Sequence, residues 1–546
     1  MQHSTLLHNL RRSLRPRDSF FHPRHEAYKW VLLANVMLGT FMAVLDATIV
    51  NVGLPKIMAS FGVGIDKIEW VITGYMLALA VMLPTSGWLA DKFGYKLIYF
   101  WGLFLFTFGS LLCGLSGNEN MLITSRVIQG LGGGMVQPLG MAIVMHEFPP
   151  EKRGVALGFW VISAAASVSF GPLIGGYLVD NFNWPFIFDV NIPVGILALI
   201  STFIIQEEYK SKNIRKFDLI GFISVTIFFP VLLYALSEGT AQSNSQGWHA
   251  PYILVMFAIS AIALTVFLIT EFTVEEPLID LRLLTNRNFG ISNIIMFLFG
   301  IGVFGGVFLL PLYLQNSLGY TALQSGMVFL PVGIIQGLIA PVTGIFADKV
   351  SAKIPVIVGL ILFTISFYIV SRLSFLTEHN FIMLSLYLRG VAMGMMFTSL
   401  STISLYDIKR EKMAQASSML NTIRQLGGSM GVAIMATILS SRVIFHMQTF
   451  GGAISANSAA YRGTIMHLSN YVQQHTGSSH AVAGRLSQYL LMSNINNQGY
   501  IQGIDDVFLI AAATTLIGII PVLFLHEKKK KKKKQQEQST KNLSYE

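Results

Sequence analysis

Fourteen stretches of this 546-residue chain are apolar over roughly the length an α-helix needs to cross a bilayer core, about 20 residues. The runs lie near 30–53, 69–90, 94–116, 120–145, 153–179, 186–205, 217–238, 250–272, 287–314, 322–346, 354–373, 380–404, 413–446 and 505–526. Backbone groups in lipid have no water to bond, so a spanning segment must satisfy them within itself as a helix or around a closed barrel. These runs are too long and too uniformly apolar for barrel strands, in which lipid-facing and lumen-facing residues alternate. The expected fold class is an all-α polytopic membrane protein. Charged residues make up only 12% of the chain, against about 25% in soluble proteins.

The net charge of +10 has a direction. With the N-terminus on the cytoplasmic side, the inner tails and loops hold 29 of the 38 Lys and Arg residues and the outer loops hold 6, while Arg126, Arg389 and Arg424 fall inside spans. That asymmetry predicts both termini inside. The charge collects at Arg11, Arg12, Arg15, Arg17 and Lys528–Lys534, beside span ends, which points to the anionic bilayer surface as partner rather than nucleic acid. The first 28 residues lack a short apolar core before a cleavage site, so the first span reads as an uncleaved signal anchor. A single cysteine, Cys113, excludes an intrachain disulfide and offers no metal cluster.

The chain repeats itself. ADKFGYK (Ala90–Lys96) returns as ADKVSAK (Ala347–Lys353), Arg126 has a counterpart in Arg389, and Glu151-Lys152 has one in Glu411-Lys412, all at nearly one offset. The organisation read from this is a cytoplasmic basic tail (1–29), a six-span N-terminal half (30–205), a linker carrying two extra spans (206–286), a six-span C-terminal half (287–526) with an outer loop at 447–504, and a disordered polybasic tail (527–546). Two parallel six-span halves place a substrate site at their interface near the bilayer midplane. Within the outer loop, YVQQH and RLSQYLLM carry apolar residues at helical spacing, which fits an amphipathic hairpin contacting a periplasmic protein or plain loop decoration.

Several motifs carry chemistry. In GWLADKFGYK, Gly87 would admit a close helix contact, Gly94 a tight turn, and Lys92 and Lys96 would hold the loop inside. Asp91 could pair with Arg153 of the next inner loop as a latch between states, or simply cap a solvated turn. In the fifth span Ser163, Ser167, Gly171 and Gly175 form a small-residue stripe for close packing, and Pro172 adds a kink. The GLGGG run in the fourth span lacks the preceding strand of a nucleotide loop, and no GxxxxGK[ST] occurs, so the chain does not read as an ATP user. Asn51, Gln129, Gln137, Gln336, Asn421, Gln425 and Arg424 sit in apolar surroundings and either line a cavity or bond helices together.

The acid in LDATIVNVGLP is the sharpest signal. Asp46 and Arg126 each fall about 10 Å from the outer end of their spans when the first ends near Gly53. Opposite charges at one depth can pair. Burial disfavours the carboxylate and a neighbouring guanidinium favours it, so such a pair is either a protonation switch or a static staple.

Taken together, LDATIVNVGLP, GWLADKFGYK, RVIQGLGGG, GPLIGG, NIPVG (Asn191–Gly195) and NTIRQLGGSMG (Asn421–Gly431) resemble the major facilitator superfamily, in its fourteen-helix drug:proton antiporter branch. The resemblance implies alternating access, proton influx as the coupling ion without any other cofactor, and export of amphipathic, often cationic compounds by a protein that is not an enzyme. It assigns proton coupling to Asp46 and Arg126, the inner gate to Gly87, Asp91, Lys92 and Gly94, and the antiporter hinge to Gly171, Pro172, Gly175 and Gly176. It also implies a place in the inner (plasma) membrane and, for some members, a periplasmic adaptor and an outer-membrane channel. Ser163 and Ser167 replace the family's upstream glycines, and Asp189 stands where an apolar residue is expected; it reads as a second titrating group, a substrate contact or an interfacial acid. A narrow-specificity exporter and a non-transporting sensor or scaffold are the alternatives on the same fold.

Overall fold

A computed structural model describes residues 27–526 apart from 149, 211–215, 240–243, 245, 406–407, 409–412, 453–457 and 478. The expected spans are all helical: α1 (Tyr28–Phe61), α2 (Ile65–Phe93), α3 (Tyr95–Gly114), α4 (Glu119–Glu147), α5 (Pro150–Asn181), α6 (Phe186–Ile205, stepped at Val190), α7 (Leu219–Glu238), α8 (Pro251–Thr273), α9 (Arg287–Asn316), α10 (Ala322–Lys349), α11 (Lys353–Ile369), α12 (His379–Leu405) and α13 (Met413–Gly452). Two further helices follow, α14 (Ala459–Thr476) and α15 (His480–Ile517), the last continuing past Gly518 as Ile519–Leu523. Among the described residues 11 helices are long and apolar enough to cross a membrane, and α2, bent by 50°, makes up to 12.

Helix ends differ from expectation where turns were misjudged. The first helix does not end near Gly53; it runs through Pro55 to Gly62, which caps it at φ 65°. Ile57, beyond the proline, is fully buried, so packing holds the extra turns against the lost amide. The stretch 447–504 is not a loop of coil: α13 continues to Gly452, α14 follows, and α15 begins at His480 rather than at 505. Gly499 and Gly503 lie against Met447 and Val443, so the two long helices stay paired beyond the apolar region. Polar residues mask such extensions from a hydropathy scan.

Small residues decide how the helices approach. Ser163 and Ser167 of α5 donate to the carbonyls of Met37 and Phe41 in α1, at 2.9 and 3.0 Å. Further along the stripe, Gly171 faces Thr48 and Gly175 faces Ile49. On its other side α5 meets the C-terminal half: a Cβ on Gly176 would come 2.4 Å from the Ala322 carbonyl oxygen, and one on Gly326 would come 2.0 Å from that of Pro172. Asp180 accepts from the backbone amides of Ala322 (3.1 Å) and Leu323 (2.7 Å), capping α10 from the opposite half. Gln315 of α9 donates to the Val52 carbonyl of α1 at 2.9 Å. All of these cross-half contacts lie at the face away from the chain ends, called here the far face. Elsewhere α2 packs on α13, and Leu233 of α7 packs against Leu77 and Leu426 in the seam.

The repeat appears in how each half closes on itself. Lys96, which opens α3, donates to the Phe203 carbonyl at the end of α6 (2.6 Å). Lys353, which opens α11, donates to the Leu523 carbonyl at the end of the last helix (2.8 Å). Each lysine neutralises a helix C-terminus within its own half.

A side chain at Gly326 should loosen the far-face seam. In Gly326→Val, a cysteine introduced by Gln315→Cys is expected to react severalfold faster with a membrane-impermeant maleimide added from the far side; an unchanged rate would show that the α5–α10 contact does not hold this face shut.

Candidate functional site

The site begins with the glycine run of α4. Cβ atoms on Gly130 and Gly134 would collide with the α2 backbone at the Tyr75 and Leu79 carbonyls, and one on Gly132 with the α3 backbone at Phe106. Without side chains there, α4 lies tightly between α2 and α3. That approach carries Arg126 and Gln129 up to α1.

Asp46 and Arg126 meet, at 0% and 1% side-chain exposure. Arg126 Nη1 donates to Asp46 Oδ2. The other carboxylate oxygen accepts from Gln129 Nε2 at 2.8 Å and from Asn191 Nδ2 at 3.0 Å. Gln129 is itself held: its Nε2 donates to Ser110 Oγ (2.7 Å) and its Oε1 accepts from Arg126 Nη1 (2.6 Å). Arg126 Nε donates to the Val71 carbonyl at 3.0 Å, and its guanidinium lies 4.0 Å from the Tyr75 ring centre. The Tyr75 hydroxyl donates to the Ala43 carbonyl at 3.2 Å. Five helices, α1, α2, α3, α4 and α6, thus converge on one carboxylate.

The two residues do not lie at equal distances from the ends of their helices. Asp46 lies about four turns from the end of α1 and Arg126 about two turns from the start of α4. They face each other because α1 projects past α4 at the far face.

Other candidates are placed variously. Asn51 donates to the Ala47 and Thr48 carbonyls of its own helix, both at 3.3 Å, and Gln137 is half-buried further along α4. Asp189 packs against Gly114 at the far end of α3, two residues from Asn191 but outside the Asp46 cluster. Gln336 in α10 has a buried carbonyl oxygen without a partner. Arg389 is 2% exposed and bonds Ser366 Oγ through Nε at 3.3 Å. Asn421 accepts from Arg424 Nη2 at 3.3 Å.

At the near face, Asp91 accepts from the Tyr95 hydroxyl at 3.0 Å, and Lys92 lies 4.7 Å from the Trp88 ring centre. Gly94 takes φ 114°, and Glu208 fills the space where a Cβ would stand, accepting from the amides of Lys96 and Leu97. Tyr209 beside it stacks between Tyr95 and His146, and burial pushes its phenol up. Gly87 does not serve close packing, since a Cβ there would meet nothing within 4 Å; it follows the bend in α2. The Arg153 side chain lies outside the described residues, so the proposed latch to Asp91 does too. Among the described residues no group of three or more His, Cys, Asp or Glu could hold a metal.

Sequence reasoning passed over Tyr75, Ser110 and Glu69, the last 1% exposed in α2. Glu69 could have been found as the acid at the start of an apolar run. Tyr75 and Ser110 look like ordinary span residues until α4 is in place.

The pair is worth most when broken, because removing one partner strands a buried charge at about 3–5 kcal/mol. Asp46→Ala should therefore lower the thermal midpoint in detergent markedly, and Asp46→Ala with Arg126→Met should recover much of the loss. A double-variant loss equal to the sum of the losses in Asp46→Ala and Arg126→Met would mean the two residues are not coupled.

These features match known proteins. Residues 36–432 match the Major Facilitator Superfamily. The chain is 30% identical over 496 residues to YhcA of Bacillus subtilis, an uncharacterized MFS-type transporter, covering 91% of this chain and 92% of that one. It is 31% identical over 486 residues to the multidrug export protein EmrB of Haemophilus influenzae, covering 88% and 92%. The solved structure of a bacterial homologue of the human lysosomal transporter Spinster, inward-facing and occupied, superposes with a TM-score of 0.60 over 92% of this chain and 97% of that one at 14% identity, a likeness of fold alone. With two six-helix halves, two helices between them and relatives of this kind along nearly its whole length, the chain belongs to the Major Facilitator Superfamily, as a transporter of the fourteen-helix multidrug-export type.

Proposed function

We propose that this protein is a proton-coupled exporter of amphipathic compounds in the inner (plasma) membrane, with both termini cytoplasmic, working by alternating access. One observation carries the reading: a carboxylate with no solvent exposure, Asp46, held by Arg126, Gln129 and Asn191 inside a membrane helix. An acid is expensive there and is kept where it does work on a proton or substrate.

In the observed arrangement the far face is joined by Asp180 of α5, which accepts from α10, and Gln315 of α9, which donates to α1, so a compound enters the seam from the near, cytoplasmic side. Opening the far face breaks these bonds and separates α1 and α5 from α9 and α10. Water then reaches Asp46, and a proton from outside neutralises it. Arg126 loses its ionic partner but keeps Gln129 Oε1 and the Val71 carbonyl. Protonation favours return to the inward state, and release of the proton inside restores the ion pair. Exchange is obligatory when proton and substrate each favour a different state.

The helical hairpin of α14 and the start of α15 projects at the far face. It exposes Tyr471 (59%) and Tyr489 (69%), and residues 447–504 contain no acid. This is where a periplasmic adaptor leading to an outer-membrane channel would bear.

The test is proton flux in inside-out vesicles with an acidic lumen. Adding a transported compound should alkalinise the lumen for wild type and leave it unchanged for Asp46→Asn at equal protein level. Wild-type alkalinisation by the variant would remove Asp46 from proton coupling.

A further inference from the structure

The linker between the halves holds a buried acid pair that the export cycle does not use. Asp218, the residue before α7, is 6% exposed, and Glu271, in the last turn of α8, is fully buried. Each carboxylate has one oxygen fixed by backbone: Asp218 Oδ1 accepts from the Gly221 amide at 2.8 Å, and Glu271 Oε2 accepts from the Ile279 amide at 3.0 Å. The other two oxygens turn to one spot. A Cβ on Gly221 would stand 2.3 Å from Asp218 Oδ2 and 3.0 Å from Glu271 Oε1, and neither oxygen accepts a hydrogen bond.

No cation balances the pair. Among the described residues the charges that act on Glu271 are those of Asp218 and Asp280, both negative, and neither Asp218 nor Glu271 takes part in an ion pair. The basic groups around it are engaged elsewhere. In the turn Leu281–Thr285, exposed Arg282 donates to the Phe272 and Val274 carbonyls, both at 3.0 Å. Ahead of α7, Lys216 is exposed and its amide bonds Glu276. From α2, exposed Lys92 lies over the Trp88 ring, which meets Phe217 at 4.5 Å.

Two carboxylates that face each other in a buried site do not both ionise. A water between them would leave both charges in place, whereas one proton removes the repulsion and supplies the donor that the two oxygens lack. The helix ends decide where it sits. Asp218 caps the N-terminus of α7, where an anion is favoured, and Glu271 lies at the C-terminus of α8, where one is disfavoured.

We propose that Glu271 and Asp218 share one proton, carried on Glu271 Oε1 and donated to Asp218 Oδ2, and that this proton site fastens the linker across the near face of the seam. The other oxygen of Glu271 holds the Ile279 amide and with it the strap 274–280 that leaves α8. Leu278 and Ile279 of the strap border one apolar gap with Val225 of α7, Ala80 and Val81 of α2 and Leu426 of α13. The strap therefore lies where the N-terminal half meets the C-terminal half. Loss of the proton leaves two anions facing each other; they separate, and the Ile279 segment leaves the seam. The strap is held below the pH at which the pair ionises and released above it. The site stands apart from Asp46, and its test needs no transport.

The measurement is hydrogen exchange of the full-length protein in neutral detergent, read by mass spectrometry on peptides covering 272–282 and corrected for the intrinsic pH dependence of exchange. In choline buffer with EDTA, wild-type protection should fall about fivefold or more between about pH 6 and about pH 9, a range that brackets the titration of buried carboxyls. Glu271→Gln keeps an acceptor for the Ile279 amide and a donor for Asp218, so its protection should stay high throughout. Asp218→Asn should also abolish the fall, because it removes the repulsion. No fall in wild type, or a fall that persists in Glu271→Gln, would overturn the shared proton; a fall that persists in Asp218→Asn would leave Glu271 titrating alone and overturn the pair. Protection at low pH that appears only on adding Na+, Mg2+ or Ca2+ would make the gap a metal-cation site and overturn the proton. Unchanged thermal midpoints identify folded variants, and the wild-type profile in metal-free buffer decides the matter where a variant does not fold.

Discussion

A carboxylate and a guanidinium shielded from solvent constrain this molecule more than any other contact. Neither can stand alone in a low-dielectric interior, so the helices that carry them must meet, and must meet with the hydrogen bonds that satisfy the remaining donors and acceptors. That requirement explains why α4 has glycines where it crosses α2 and α3, why Gln129 follows Arg126 at one helical turn, and why α6 brings Asn191 to Asp46. The glycines bring the helices together, and the polar side chains set their register.

A second constraint runs through α5. One side of it is bonded to α1 by Ser163 and Ser167, and the other meets α10 of the opposite half at Gly176 and Gly326. The serines, which replace glycine in the related pattern, add hydrogen bonds to α1 and so join α5 more firmly to its own half. The contact to α10 rests on backbone proximity and on one carboxylate, Asp180, at a helix N-terminus. The helix carrying GPLIGG is thus hydrogen-bonded to α1 along one face and meets the opposite half on the other through backbone proximity and a single carboxylate.

Much of this was legible before any coordinates. The spans, their order and the duplication followed from apolar length and from short motifs at one offset, because backbone satisfaction in lipid leaves so few alternatives. The pairing of Asp46 with Arg126 was legible as well, though the depth count that suggested it placed the end of α1 wrongly. Gly87 was read as a packing glycine and faces open space; it follows the break in α2 at Pro84, a bend that the proline itself could have signalled. The helices over 447–504 were legible only as one of two readings, through amphipathic spacing in YVQQH and RLSQYLLM, because their polar sequence otherwise resembles a loop.

By itself the sequence determined that the chain is helical, repeats as two six-helix halves, and carries three arginines in its spans together with a deeply placed aspartate. These are local properties: hydropathy, residue size and the expense of an unpaired backbone group or charge act on each segment wherever it lies. Only the tertiary structure decided which of those charges are balanced. Helix rotation and overhang bring Asp46 within reach of Arg126, Gln129 and Asn191, yet set Gly306 opposite Arg389 and only Asn421 and a phenylalanine beside Arg424. Whether two charges meet depends on the relative pose of helices distant in sequence, and the packing of small residues sets that pose.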